Sequence, residues 1–210
     1  MKIRLSNAGK RFNREWIFRG ADLEFVSGTA YAVTGPNGSG KSTLLQTVGG
    51  MMMPSEGKVT FTIGDKDIEP EKDFQYISFC APYLEVIEEL TLVELLEFHQ
   101  HFKPLVQGFS IKDVIAAIDL EGAAHKQIRY YSSGMKQRVR LGQAIFSDTP
   151  AVLLDEPCSN LDQKGINLYH HLIATYCPDR LVIVCSNDEV EYSFCQERIE
   201  ISHYKQGIRN

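Results

Sequence analysis

The run GPNGSGKST, Gly35 to Thr43, limits what this chain can fold into more than any other stretch. It follows TAYAVT, an extended candidate, and leads into STLLQTVGG, a helical candidate that stops at Gly49–Gly50. Strand, glycine loop and helix in that order are the context in which G-x-x-x-x-G-K-[ST] has a mechanism. The glycines let the loop curl so that successive N–H groups point inward at phosphate oxygens. The helix adds its positive end. Within the run Gly35, Pro36, Asn37, Gly38, Ser39, Gly40 and Thr43 form the cradle. Lys41 would reach the β- and γ-phosphates, and Ser42 would place its hydroxyl on Mg²⁺. Average residue frequencies give this pattern by accident in roughly one chain in a hundred of this length or fewer.

AVLLDEP supplies a second half. Four apolar residues lead into Asp155, at the end of an expected buried strand, where it would hold Mg²⁺. Glu156 beside it is the candidate for polarising an attacking water. Two adjacent carboxylates on a buried strand are costly unless a cation or hydrogen bonds offset them. LVIVCSND repeats the design: a continuous apolar run breaks into Ser186, Asn187 and Asp188. In open α/β sheets, ligands bind at such carboxyl ends. In YYSSGMKQRVRLGQAI, Ser132, Ser133 and Gly134 precede an evident helix. Such a turn is either an ordinary cap or a second anion site. One chain seldom needs two such sites for one triphosphate, so the second would serve the nucleotide of another copy.

Around these motifs, KIRLS, IFRGADLEFV, KVTFTI and FQYISFC are extended candidates. Thr91 with Glu94 makes a capping box for LVELLEFHQHF, and Ser110 is a plausible cap for SIKDVIAAIDL. This helical stretch, about 83–145, looks like a lobe inserted into an α/β core formed by 1–82 and 146–210. KGINLYHHLIATY is the expected crossover helix between the later strands, and RIEISHYK the last strand-like run. The 210 residues are expected to form one domain, with no room for a regulatory domain after that run.

A net charge of −5 argues against a nucleic-acid partner, which needs a clustered basic surface. Cys80, Cys158, Cys177, Cys185 and Cys195 have neither metal spacing nor a CxxC pair, as expected of reduced thiols. MKIRLSNAGKRF has no apolar signal core, and no apolar run approaches the ~20 residues a bilayer span needs. Any membrane work would fall to another chain.

The ensemble resembles the nucleotide-binding subunit of an ABC transporter. GPNGSGKST is similar to its Walker A motif, AVLLDE to Walker B, YSSGMKQR to the signature (usually LSGGQ), and SNLD, Ser159 to Asp162, to the D-loop. Order and spacing match over essentially the whole chain. The resemblance implies a P-loop NTPase core with a mostly parallel sheet, an N-terminal antiparallel β subdomain and an inserted α-helical lobe. It implies ATP and Mg²⁺ as ligands. It also implies a head-to-tail dimer, with ATP between Walker A of one chain and the signature of a second copy. An integral-membrane permease subunit would be driven from the cytoplasmic face. It points to Phe12 as the aromatic stacked on adenine, with Trp16 as the alternative. The compact length resembles small bacterial export-type subunits, including the haem-exporter group.

Three positions depart from the family pattern. Ser133 stands where glycine is usual, a small change that leaves ATP sandwiching intact. Counting back from ELT puts Pro82 where a glutamine should sense Mg²⁺ or water, and proline has neither a side-chain donor nor an N–H. Glu85 is the nearest candidate substitute. Asn187 replaces the switch histidine that meets the γ-phosphate. It keeps a neutral donor but cannot be protonated. A full donor loss to developing charge costs about 2.7–4 kcal/mol, so a partial one should slow hydrolysis ~10-fold or more.

The main expectation is therefore an ATPase subunit of a transporter. The alternatives are a nucleotide-gated interaction module with very slow hydrolysis and a soluble non-transport ABC ATPase. Other features take plain structural readings. Met51 to Met53 should pack beneath a helix end, and Lys136, Arg138 and Arg140 should lie on a solvated helix face. His99 and His101 do not share a helix face well, and His170 and His171 are expected at the surface.

Overall fold

Strands β3 (Ala30–Thr34), β7 (Ala151–Asp155) and β8 (Leu181–Cys185) are buried at every residue. That is the signature of parallel strands covered on both faces. A computed structural model describes residues 1–205 and places these three with β6 (Ile77–Cys80) and β9 (Glu197–Glu200) in one sheet. Its order is β6-β7-β8-β3-β9 and every pairing is parallel. The tail 206–210, which the single-domain expectation includes, lies outside the described residues.

The remaining strands form an antiparallel sheet in the order β2-β1-β4-β5. They are β1 (Lys2–Phe12), β2 (Glu15–Val26), β4 (Glu56–Ile63) and the short β5 (Lys66–Asp67). The fold is thus a P-loop NTPase α/β fold with an antiparallel sheet beside its parallel one.

Period-two alternation sends the two faces of the parallel sheet into different cores. Val152, Leu154, Val182 and Val184 pack under the helices α2 (Leu92–Gln100), α3 (Ile111–Ala117), α4 (Ser133–Ile145) and α5 (Gln163–Tyr176). Ala151, Leu153, Ile183 and Cys185 pack instead against α1 (Lys41–Val48) and the antiparallel sheet. Parity therefore decides where β7 ends. Asp155 continues the Ala151–Leu153 row and emerges on the α1 side. The short α6 (Glu189–Tyr192) follows β8.

Five helices are capped by the residues that precede them. Thr91 and Ser110 form reciprocal capping boxes with Glu94 and Asp113, while Ser132, Asp162 and Asp188 cap α4, α5 and α6. Each such cap is worth about 1 kcal/mol.

Several local expectations change. FQYISFC is extended only over Ile77–Cys80, because a 3-10 turn beginning at Pro70 occupies the residues before it. RIEISHYK is strand only to Glu200, after which Ile201–Tyr204 turns to bury Ile201. The methionine run does not pack beneath a helix. Gly50 adopts φ 72 and leads the chain over the surface, leaving Met51 and Met53 exposed.

The basic residues of α4 are not on a solvated face either. Lys136 pairs with Glu88, Arg138 bonds Asp119 and the Ile118 carbonyl, and Arg140 Nε donates to the Leu84 carbonyl at 2.6 Å. They clamp the β6–α2 connection and the end of α3 onto α4. No helix among the described residues is long and apolar enough to cross a membrane.

Candidate nucleotide site

Among the caps, α1 is the exception: no side chain among the described residues caps it, and Gly40 at its N-cap is left-handed at φ 103. The opening N–H groups of α1 are therefore left for a ligand. A β-carbon on Gly40 would lie 2.3 Å from Ile17 Cγ2, so both backbone conformation and close approach demand glycine there.

The loop holds itself curled. Lys41 Nζ donates to the carbonyls of Gly35 and Pro36 at 2.8 and 3.3 Å, and Ser39 N donates to Pro36 O at 3.1 Å. Lys41 is only 5% exposed. Beside it opens a cavity of ≈ 270 Å³ lined by Asn37, Gly38, Gly40, Lys41, Ser42, Thr43, Glu156 and Ile17. Gly35, Pro36 and Ser39 form the base of the loop rather than the cavity wall. Ile17 was not singled out by the sequence. Its signal is its position beside Trp16 on β2, where an apolar side chain faces the loop.

Asp155 ends β7 at 2% exposure, and neither carboxylate oxygen finds a hydrogen-bond partner among the described residues. Burial pushes its carboxyl above the ordinary range, and Glu156 adds to this. The Ser42 and Tyr83 hydroxyls, and to a lesser degree Lys41, oppose the shift without completing a bond. An orphaned, buried carboxylate beside a serine hydroxyl is a hard-oxygen donor set, which fits Mg²⁺.

Glu156 holds an unusual backbone, φ 42, while its N–H donates to Cys185 O at 2.9 Å. A non-glycine residue there costs of order 1–3 kcal/mol and persists only where the surroundings impose it. The next residues are pinned by Glu191, 6% exposed, whose Oε1 accepts from Cys158 N at 2.7 Å. Burial raises the Glu191 carboxyl.

Asn187 stands at the lip of the loop, where its Nδ2 donates to Asn37 Oδ1 at 3.1 Å. The position expected to hold a glutamine is filled differently. Glu85 faces another cavity, with His99, Lys103 and Arg140. Tyr83, next to Pro82, instead brings its hydroxyl to Gln46 Nε2 at 2.9 Å. Burial pushes the Tyr83 phenol up to about 12. Sequence reading missed both Tyr83 and Gln46, because neither belongs to a spaced motif.

The two candidate aromatics differ in their engagement. The Trp16 ring has the guanidinium groups of Arg19 and Arg11 at 4.5 and 5.5 Å from its centroid. Phe12 is 47% exposed, with the Lys10 ammonium 5.5 Å away. Phe12 has the more accessible ring.

Ser132, Ser133 and Gly134 are not brought to the phosphate loop. They line a separate cavity of ≈ 490 Å³ with Asp119, Arg138, Asn160, Asp162 and Lys164. Gly134 lets α4 approach the SNLD segment, since a β-carbon there would sit 2.9 Å from Asn160 O. Lys164 and Arg138 hold the Asp119 carboxyl below its usual range.

Comparison with known proteins places these features in one family. The family model described as ABC transporter matches residues 18–159. The uncharacterized ABC transporter ATP-binding protein YybJ of Bacillus subtilis is 29% identical, over 96% of this chain and 93% of its own. The cytochrome c biogenesis ATP-binding export protein CcmA of Agrobacterium fabrum is 30% identical, over 84% of each chain. Among solved structures, the dimeric post-hydrolysis state of the ATP-binding cassette MJ0796, bound to ADP and Pi, superposes with TM-score 0.82. It is 24% identical and the match covers 95% of this chain and 94% of that one. With its phosphate loop, buried Asp155 and separate Ser132–Gly134 cavity, this chain belongs to the ABC transporter family, as an ATP-binding subunit.

Proposed function

We propose that this chain hydrolyses ATP in a head-to-tail dimer with a second ABC ATPase chain and so drives an integral-membrane subunit from the cytoplasmic face. One observation carries the reading. Lys41, Ser42 and Glu156 line one cavity with Asp155 beside it, while Ser132–Gly134 line another. A single chain thus offers two half-sites, and a second copy would bring them together over each nucleotide.

The roles follow from chemistry. The uncapped start of α1 and the loop N–H groups take phosphate oxygens, and Lys41 exchanges its carbonyl partners for the β- and γ-phosphates. Ser42 and Asp155 would hold Mg²⁺, which would supply positive charge against the charge developing on the phosphates. Glu156 orients the water that attacks the γ-phosphorus, as the bond to the bridging oxygen breaks and ADP leaves. Asn187 donates to the γ-phosphate after releasing Asn37. Phe12 stacks on adenine. The membrane partner is of the export type, by analogy with the Agrobacterium relative.

Single-turnover hydrolysis by the purified chain, against a Glu156→Gln variant, tests this. The expected loss is about 10²–10⁴-fold, the usual contribution of a positioned acid–base group. Equal rates would leave the slow, nucleotide-gated module as the better reading, one that the Asn187–Asn37 bond favours.

A further inference from the structure

The peptide that joins Pro157 to Cys158, just after Glu156, is held from both sides by buried side chains. Its carbonyl accepts from Gln137 Nε2 of α4 at 2.8 Å, and its N–H donates to Glu191 Oε1 of α6 at 2.7 Å. Gln137 is 0% exposed and Glu191 6%. Neither lines the cavity that takes the phosphates.

Both clamping residues are themselves mounted. Arg140 Nη1 donates to Gln137 Oε1 at 3.3 Å, and the Tyr169 hydroxyl of α5 donates to the Glu191 carbonyl at 2.8 Å. Glu191 holds its place at a cost, because its Oε2 is buried without a partner among the described residues. Such local conflicts collect at functional positions.

Glu156 needs a hold of this kind. At φ 42 its backbone is strained and persists only where the surroundings impose it. Its own N–H is fixed to Cys185 O, and the next fixed point is the clamped peptide. Only Glu156 and Pro157 stand between the two, and the proline ring fixes a further dihedral. The backbone that carries the Glu156 side chain into the phosphate cavity is thus set from both ends.

We propose that Gln137 and Glu191 are positioning residues for the hydrolytic carboxylate. By clamping the Pro157–Cys158 peptide they impose the left-handed backbone that aims Glu156. Gln137 comes from the helix that opens at Ser133, and Glu191 from the one that follows Asn187. The proposal rests on the ATPase reading above and deepens it.

The test uses the whole chain with Mg²⁺-ATP in single-turnover hydrolysis, with the affinity of a fluorescent ATP analogue measured alongside. Glu191→Met removes the acceptor and should slow hydrolysis about 10- to 100-fold, the order of loss for a misplacement of about 1 Å. Nucleotide affinity should stay within about twofold, because Lys41 and the first N–H groups of α1 are untouched. Glu191→Gln keeps an acceptor oxygen and should recover the rate to within about threefold of the unaltered chain. Gln137→Met releases the same peptide from its carbonyl side and should slow hydrolysis in the same way. If one methionine variant does not fold, the other still reads the peptide from the opposite side.

An unchanged rate in a folded methionine variant would overturn the proposal. So would a parallel fall in rate and affinity, which reports a general loss of shape, or a Glu191→Gln chain as slow as Glu191→Met. Those outcomes leave the ATPase reading standing. Equal rates for the unaltered chain and Glu156→Gln would overturn both.

Discussion

Replacing Asp155 with asparagine should make the empty protein more stable and the loaded protein less so. In the structure this carboxylate is 2% exposed and both oxygens lack hydrogen-bond partners among the described residues. A buried polar group left unsatisfied costs about 1–3 kcal/mol, and more when charged. Asparagine keeps the shape and discards the charge, but leaves a polar amide in the same place. A net gain of roughly 1–2 kcal/mol is therefore reasonable. At this chain length each kcal/mol moves the melting temperature by about 2–4 °C, so a rise of about 2–8 °C is expected without ligand.

With AMP-PNP and Mg²⁺ at about 100 times Kd, the unaltered chain should gain about 2.7 kcal/mol by mass action. The variant should lose most of the Mg²⁺-dependent part, so the order of melting temperatures reverses. The charge also leaves a pH signature. The folded carboxyl titrates above its ordinary value of 3.8, so the folded state holds its proton more firmly than the unfolded one. Stability from this group is present below that ordinary value and is lost as pH rises through the raised folded value. The asparagine variant lacks that decline.

Melting curves by differential scanning calorimetry, with and without Mg²⁺-AMP-PNP and across a pH series, read all three effects. A variant that melts below the unaltered chain when empty would refute the view of Asp155 as a strained, waiting ligand. Full retention of the Mg²⁺-dependent gain would refute its place at the cation.

Three further outcomes follow from named contacts. Phe12→Ala should weaken binding of a fluorescent ATP analogue roughly tenfold, the order of a lost base–aromatic stack, whereas Trp16→Phe should leave it nearly unchanged. The reverse order would exchange their roles. Asn187→His should raise single-turnover hydrolysis about tenfold, and a change below about twofold would show that this position does not limit the chemistry. Burial, aided by the Lys103 charge, lowers the His99 pKa below its ordinary 6.5, so the folded state binds fewer protons than the unfolded one. Stability should fall as pH drops from that value towards the lowered one, and His99→Gln should flatten melting temperature between about pH 7 and 5.

Much of the scaffold was legible because it depends on short-range pattern. The strand–loop–helix run at Gly35–Thr43 needs only neighbouring residues to curl and to leave α1 uncapped. Unbroken apolar runs announced the buried parallel strands, and their parity already implied that Asp155 and Leu153 share a face. Thr91 and Ser110 declared their helices through contacts three residues away.

What the tertiary structure alone decided depends on distant segments meeting. Gln46 and Tyr83 lie 37 positions apart, and Asn37 and Asn187 lie 150 apart, so no local pattern could pair them. The same limit explains Lys136, Arg138 and Arg140, whose charges suggested a solvated face until the β6–α2 connection and the end of α3 were seen folded onto α4. The sequence by itself determined that the chain cradles phosphate at the carboxyl edge of a parallel sheet. Only the tertiary structure decided which side chains stand around Asp155, because the reach of a side chain depends on where other elements pack and not on spacing along the chain.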